Sequence, residues 1–281
     1  MFKIIFVSIN FVFLIQCNSE KSNKNNSMMV AALLFSQTQK SSSPTITTFS
    51  IPLDTADTVT SAPNDNGSGF RDKAKAVNGV RGGGISSGGV DVFSLTAKGS
   101  SASMVLEWSG RRILNGSGID FTVFENAFQY NANSSTAFME AIIVEVSQDN
   151  ISYCGFSPSY NFTPKTTYST APSFWLRFAG ITPTLYNVES NIFSGNDLYD
   201  TSKTGGDSFD LENLSATNDF GIGCNVLLRD KIKSEGFVYL RLTSATARTN
   251  PDTGANYLQD VGAFGGGPDI DGVLARYRAP R

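Results

Sequence analysis

The chain has 281 residues, a formal net charge of −3 at pH 7, 40% hydrophobic residues and 17% charged residues. This composition supports a sizeable core, and it shows no basic patch of the kind that nucleic-acid binding requires. The sequence contains no histidine, which excludes Ser-His-Asp and Cys-His catalytic groups and every metal site that depends on imidazole. We therefore expect a protein that is not an enzyme and has no nucleic-acid partner.

The first seventeen residues have the order of an export signal. Lys3 precedes an apolar run over residues 4–15, which is shorter than the ~20 apolar residues that span a bilayer. The segment Leu14-Ile-Gln-Cys17 resembles the lipobox of bacterial lipoproteins. The resemblance implies a signal peptide over residues 1–16 and an exported protein, lipid-anchored to a membrane through Cys17, at the outer membrane or cell surface. A cleaved secretory signal and an uncleaved anchor are the alternatives.

Residues 17–68 follow with a different composition. They are rich in Ser, Thr, Asn and Lys, as in Lys40-Ser-Ser-Ser-Pro44, and such polar low-complexity segments are typical of flexible linkers. We therefore predict three parts: a signal peptide over residues 1–16, a lipidated cysteine and tether over residues 17–68, and a folded domain over residues 69–281.

The folded part has the pattern of β structure. Short apolar runs alternate with clusters of Gly, Asn, Asp and Ser, and no segment sustains a helical period. Eight strands are predicted, over Val90–Ala97, Ser103–Trp108, Ile119–Glu125, Ala141–Ser147, Ile151–Phe156, Phe174–Phe178, Phe237–Ser244 and Ile270–Tyr277. Eight strands in this length favour an all-β fold of two packed sheets.

Two of these strands show which of their faces is buried. Apolar residues alternate in each, so they share one face of the pleat, and the residues predicted to be core are Ile142, Val144, Val146, Val238, Leu240 and Leu242. Gln148-Asp-Asn150 then predicts a hairpin turn, because Asp and Asn tolerate the left-handed conformation.

Two cysteines, Cys154 and Cys224, remain after Cys17 is assigned to the lipid anchor. An even pair in an exported chain predicts a disulfide, and two buried free thiols are the alternative.

Four segments carry a family resemblance. Residues 144–153 are similar to a hairpin of galactose-binding-like β-sandwiches, such as discoidin and carbohydrate-binding modules. Together with residues 115–126, 205–211 and 267–273, in that order, they resemble a family of bacterial cell-surface proteins that includes leptospiral lipoproteins of unknown function. The resemblance covers about residues 70–278 and implies a jelly-roll-like, galactose-binding-like sandwich with no settled activity.

Six oxygen-bearing side chains lie in these segments: Glu125, Asn126, Asp207, Asp210, Asp269 and Asp271. Carboxylate and amide oxygens suit calcium, and neighbouring glycines let the backbone bend around an ion. Galactose-binding-like domains often hold one structural calcium, so the resemblance implies calcium as the single cofactor, bound by some of these residues. The alternative is that these residues cap turns and strands.

The sequence thus predicts a lipid-anchored, non-catalytic binding module for a carbohydrate or for a host or envelope protein. A structural envelope protein without a small ligand is the alternative. A glycoside hydrolase would need two acids ~5–10 Å apart across a cleft, yet Glu140 and Glu145 fall on opposite faces of a strand and Glu125 has no recognisable partner. The aromatic residues either stack on sugars or belong to the core, chiefly Trp108, Trp175, Tyr130, Tyr160 and Tyr257.

Overall fold

The computed structural model describes residues 52, 54–62, 69–96, 102–131, 135–216, 224–259 and 267–281. The chain divides into two units, Met1–Ile46 and Thr47–Arg281. The first unit, with the predicted signal peptide and Cys17, lies outside the described residues, as does most of the predicted tether. Within the described ranges, no helix has the length and apolar character needed to cross a membrane.

Antiparallel strands dominate the described part of the chain. The strands are β1 (Thr58–Ser61), β2 (Phe93–Ser94), β3 (Ser103–Glu107), β4 (Arg111–Ile113), β5 (Phe121–Glu125), β6 (Phe128–Gln129), β7 (Ala137–Phe138), β8 (Ile142–Ser147), β9 (Tyr153–Gly155), β10 (Ser159–Tyr160), β11 (Trp175–Leu176), β12 (Asp207–Phe209), β13 (Tyr239–Ser244), β14 (Asp269–Ala275) and β15 (Arg278–Pro280). Two α-helices, α1 (Thr201–Thr204) and α2 (Val226–Glu235), accompany 3-10 turns at Lys73–Val77, Pro172–Phe174, Gly195–Tyr199, Leu211–Asn213 and Ala245–Ala247. The predicted all-β class is confirmed, and each of the eight predicted strands overlaps an observed one.

Two larger sheets form the core of the described part of the domain, and three two-stranded sheets accompany them. A five-stranded sheet has the order β1-β3-β13-β8-β9, and a four-stranded sheet has the order β12-β5-β14-β2. Side chains from both sheets join one apolar cluster, for example Leu106, Leu240 and Val144 from the first with Phe121 and Val273 from the second. Each such burial stabilises the fold by ~1.5–3 kcal/mol.

The predicted core faces are confirmed. On β8 and β13 the alternating residues Ile142, Val144, Val146, Leu240 and Leu242 belong to the central cluster. Val238, just before β13, is also buried.

The sheet begins earlier than the boundary predicted at residue 69. β1 pairs with β3, the Ala56 amide donates to the Val273 carbonyl at 2.9 Å, and the Trp108 indole donates to the Asp54 carbonyl at 2.8 Å. Residues 54–61 therefore contact both sheets. Their Thr- and Ser-rich composition suits an edge strand whose last two residues are exposed, which explains why they resemble a tether in sequence.

The predicted cysteine pair is observed at disulfide distance. Cys154 on β9 and Cys224, just before α2, have Cα atoms 4.8 Å apart and are separated by 70 residues in sequence. Asn225 caps α2 by accepting from the Leu228 amide at 2.9 Å, and the buried Ile232 packs this helix on the core. The disulfide thus ties α2 to the edge strand β9.

The predicted hairpin joins β8 to β9. Asn150 adopts φ 62°, and the Asp149 carboxylate accepts from the amides of Ile151 and Ser152 at 2.9 and 2.8 Å. The local turn chemistry therefore sets the register in which Ser147 faces Tyr153.

A second apolar cluster covers one end of the outer face of the five-stranded sheet. Ile143 of β8 packs there with Tyr160 and Trp175 of the β10–β11 hairpin and with Phe178 and Tyr257. Most of the aromatic residues considered for sugar stacking are consequently core: Trp108, Trp175, Tyr160 and Tyr257 are buried, while Tyr130 is 51% exposed.

Candidate functional site

Three of the six residues predicted to bind calcium meet at one end of the four-stranded sheet. β5 ends at Glu125 and the antiparallel β14 begins at Asp269, with Ile270 facing Glu125 in the register. The Asp269 amide donates to Glu125 Oε1 at 3.0 Å, and the Asn126 side-chain amide donates to Asp269 Oδ2 at 3.4 Å. Ser94 donates its hydroxyl to Asp269 Oδ1. Strand pairing thus brings residues 144 positions apart into contact.

A third acid, Glu140, joins this group from the segment before β8. Its charge is one of the causes that raise the pKa of Glu125, and the Gln259 amide donates to Glu140 Oε1 at 3.0 Å. Glu140 is 5% exposed and Glu125 is 2% exposed. This partner of Glu125 was not predicted from the sequence. Its one available signal is an acid inside the otherwise apolar run of residues 137–144.

We name Glu125, Asn126, Glu140 and Asp269 the acidic cluster. Burial raises the pKa of Glu125 well above its ordinary value, and the charges of Glu140 and Asp269 add to the effect. Burial also raises the pKa of Asp269, against the lowering effect of its hydrogen bonds. Glu125 Oε2 is buried without a hydrogen-bond partner, and an unsatisfied buried acceptor costs ~1–3 kcal/mol. The cluster therefore favours a proton or a cation at Glu125.

Asp207 lies beside the cluster and has its own structural role. It is on β12, which pairs with β5, and its Oδ2 accepts from the amides of Ile181 and Thr182 at 3.0 and 3.3 Å. Burial raises the pKa of Asp207 to about 6. This carboxylate holds the turn at residues 180–182.

Asp271 and Asp210 lie apart from the cluster. The register of β14 shifts between Ile270 and Gly272, which leaves Asp271 without a partner on β5. Asp271 accepts from the Arg81 amide at 2.8 Å, and burial raises its pKa to about 8. Asp210 caps the 3-10 turn at Leu211–Asn213, beyond the far end of β12. Asp271 and Asp210 thus each accept a hydrogen bond from a backbone amide and stabilise the local fold.

The six predicted ligands therefore do not form one site. Within the described ranges, no group of three or more Asp, Glu or Cys side chains has the arrangement of metal ligands. Among the predicted ligands, those in the acidic cluster still suit calcium, which prefers oxygen ligands. The cluster combines carboxylates, one side-chain amide and a buried carboxylate oxygen without a hydrogen-bond partner.

Comparison of the sequence with family models found no match, and comparison with curated proteins found none either. The resemblance to galactose-binding-like surface proteins stays a prediction.

Proposed function

We propose that the chain is an exported, lipid-anchored, non-catalytic binding module, whose domain is a galactose-binding-like jelly roll and whose ligand is a carbohydrate or an extracellular protein. The observation that carries this proposal is the Cys154–Cys224 pair, because disulfides persist in oxidising, exported compartments. The order of charged residue, apolar run and Cys17 supports the same location.

The burial of the acidic cluster supports binding rather than hydrolysis. Glu125 and Glu140 are neighbouring carboxyl groups, as a glycosidase requires, but both are almost fully buried. A glycoside must reach both acids from a cleft. A role in stabilising the domain fits these two residues better than a catalytic role.

The lipid anchor gives the first prediction. Cells that express the full chain should incorporate a palmitate analogue into the wild type and not into Cys17→Ala, because acylation needs the thiol of Cys17. The wild type should enter the detergent phase of a detergent partition, and the variant should stay in the aqueous phase. Ser19→Ala, two residues away, should label like the wild type. An unlabelled wild type would contradict the anchor.

We also propose that one structural calcium ion binds at the acidic cluster. Glu125, Glu140 and Asp269 would supply carboxylate oxygens, and Asn126 its side-chain carbonyl. A cation would neutralise like charges that burial makes costly, and it would give Glu125 Oε2 a partner.

The second prediction concerns this ion. Calcium should raise the melting temperature of the full chain, because a ligand at a hundredfold excess over its dissociation constant stabilises the native state by ~2.7 kcal/mol. Glu125→Gln should reduce this rise, whereas Asp210→Asn, outside the cluster, should keep it. Since the raised pKa of Glu125 means that binding displaces a proton, the rise should grow with pH. Identical melting curves in chelator and in calcium at alkaline pH would exclude the site.

A further inference from the structure

A charged area lies on the outer face of the five-stranded sheet, beyond the end that the β10–β11 hairpin covers. Arg241 of β13 faces Glu145 of β8 in the register. Its Nε and Nη2 donate to the two oxygens of that carboxylate, each at 2.8 Å. Arg248 donates to the same carboxylate, and Glu145 is fully buried beneath the two guanidinium groups. A third arginine, Arg281, donates to Glu107 Oε2 at 3.1 Å. We name Arg241, Arg248 and Arg281 the arginine face.

Aromatic rings hold two of these guanidinium groups in place. The Arg241 guanidinium carbon lies 3.8 Å from the centre of the Tyr153 ring, and that of Arg281 lies 5.2 Å from the Tyr239 ring. Arg281 also donates to the Tyr239 hydroxyl oxygen at 2.6 Å. Cation–π contacts of this kind fix the guanidinium plane, so little conformational entropy would be lost when a ligand binds.

The arginine face has more positive than negative charge. Three guanidinium groups face two carboxylates, those of Glu145 and Glu107, an excess of one positive charge within these ion pairs, and Asp149 lies near the Tyr153 ring. One arginine would neutralise Glu145, yet two converge on it. Their side chains are 26% and 21% exposed, and in the described part of the chain their remaining N–H groups have no protein acceptor. Guanidinium N–H groups match carboxylate oxygens in geometry and charge.

We propose that the arginine face binds an acidic polysaccharide, whose carboxylates are bound by Arg241 and Arg248. This inference rests on the proposed function as a binding module and names its ligand. Protein interfaces combine Arg with accessible aromatic residues, whereas here the arginines themselves contact the rings, Arg241 over Tyr153 and Arg281 over Tyr239. The rim instead carries hydroxyl groups, including the exposed Thr60, which hydrogen-bonds to Glu107. A chain of carboxylated sugars presents the matching groups.

The test measures binding of the detergent-solubilised full chain to polygalacturonate at low salt. Arg248→Gln should weaken binding about tenfold, the effect of one lost charge-assisted hydrogen bond. Arg281→Gln, which leaves Glu145 paired, should also weaken it. Arg229→Gln on α2 removes the same charge from an exposed ion pair and should bind like the wild type. A thermal melt of each variant separates a loss of binding from a loss of folding.

The control ligands distinguish the possible partners. Neutral dextran should bind weakly, and polyglutamate should bind less tightly than polygalacturonate. Polyglutamate binding as tight as polygalacturonate binding would replace the polysaccharide with an acidic protein. If the chain bound dextran and not polygalacturonate, the proposal of an acidic ligand would be wrong, and the proposed function as a binding module would still hold. Unchanged affinity in folded Arg248→Gln and Arg281→Gln would overturn the arginine face as the site.

Discussion

Replacement of both Cys154 and Cys224 by Ala is expected to lower the free energy of unfolding by ~4 kcal/mol. The two residues are 70 positions apart, so the cross-link removes a large loop-closure entropy from the unfolded chain. Both side chains are also buried in the central cluster, where the lost sulfur contacts add to the cost. Chemical denaturation of the oxidised wild type and of the double variant measures the difference.

Reductant provides the control for this prediction. It should destabilise the wild type by a similar amount and leave the double variant unchanged, because that variant has no cross-link to lose. Alkylation of two thiols in freshly isolated, unreduced wild type would contradict the disulfide. A loss much below 1 kcal/mol would show that the unfolded chain is already compact.

The fold was predictable where apolar residues occupy every second position of a strand. β8 and β13 are central strands whose inner residues alternate with outer ones, so the two-residue period was visible in Ile142, Val144 and Val146. The strands that were missed lack this signal. β1 is a polar edge strand, and β12 lies within a Gly- and Asp-rich segment that the sequence analysis assigned to ion binding. An edge strand forms where it pairs with a neighbouring strand, and the local sequence pattern does not encode that pairing.

The acidic cluster was predictable only in part. Glu125 and Asp269 meet because β5 pairs with β14. The motif resemblance placed both residues in one calcium site without predicting this long-range pairing. Glu140 was missed because it lies in the loop before β8. The path of that loop brings it to Glu125, and no repeating sequence pattern predicts such a path. Asp271 was assigned to the same site as Asp269 because both lie in one motif segment, but the register shift in β14 adds an unpaired residue at that point. Asp271 consequently contacts Arg81 and not the acidic cluster.

Buried acids should give this domain an unusual dependence of stability on pH. Burial raises the pKa of Asp120 and Asp207 to about 6 and that of Asp271 to about 8. An acid whose pKa is higher in the folded than in the unfolded state binds more protons when folded. Its contribution to stability is present in full below the unfolded pKa of about 4 and is lost as the pH rises through the folded pKa. In chelator, the free energy of unfolding should therefore fall between about pH 4 and about pH 8.

Asp271→Asn should remove the largest part of this fall. The Asn side-chain oxygen can still accept from the Arg81 amide, so the variant should match the wild type at about pH 4 and exceed it by several kcal/mol at about pH 8, with ~5 kcal/mol as the upper bound for a four-unit shift. Asp91 raises and Arg81 lowers the pKa of Asp271, but desolvation is the largest cause. Denaturant titrations across this pH range measure the slope. Asp149→Asn is the matched control, because hydrogen bonds lower the pKa of this exposed acid and it stays ionised throughout. Parallel slopes for the wild type and Asp271→Asn would show that Asp271 is already ionised in the folded protein.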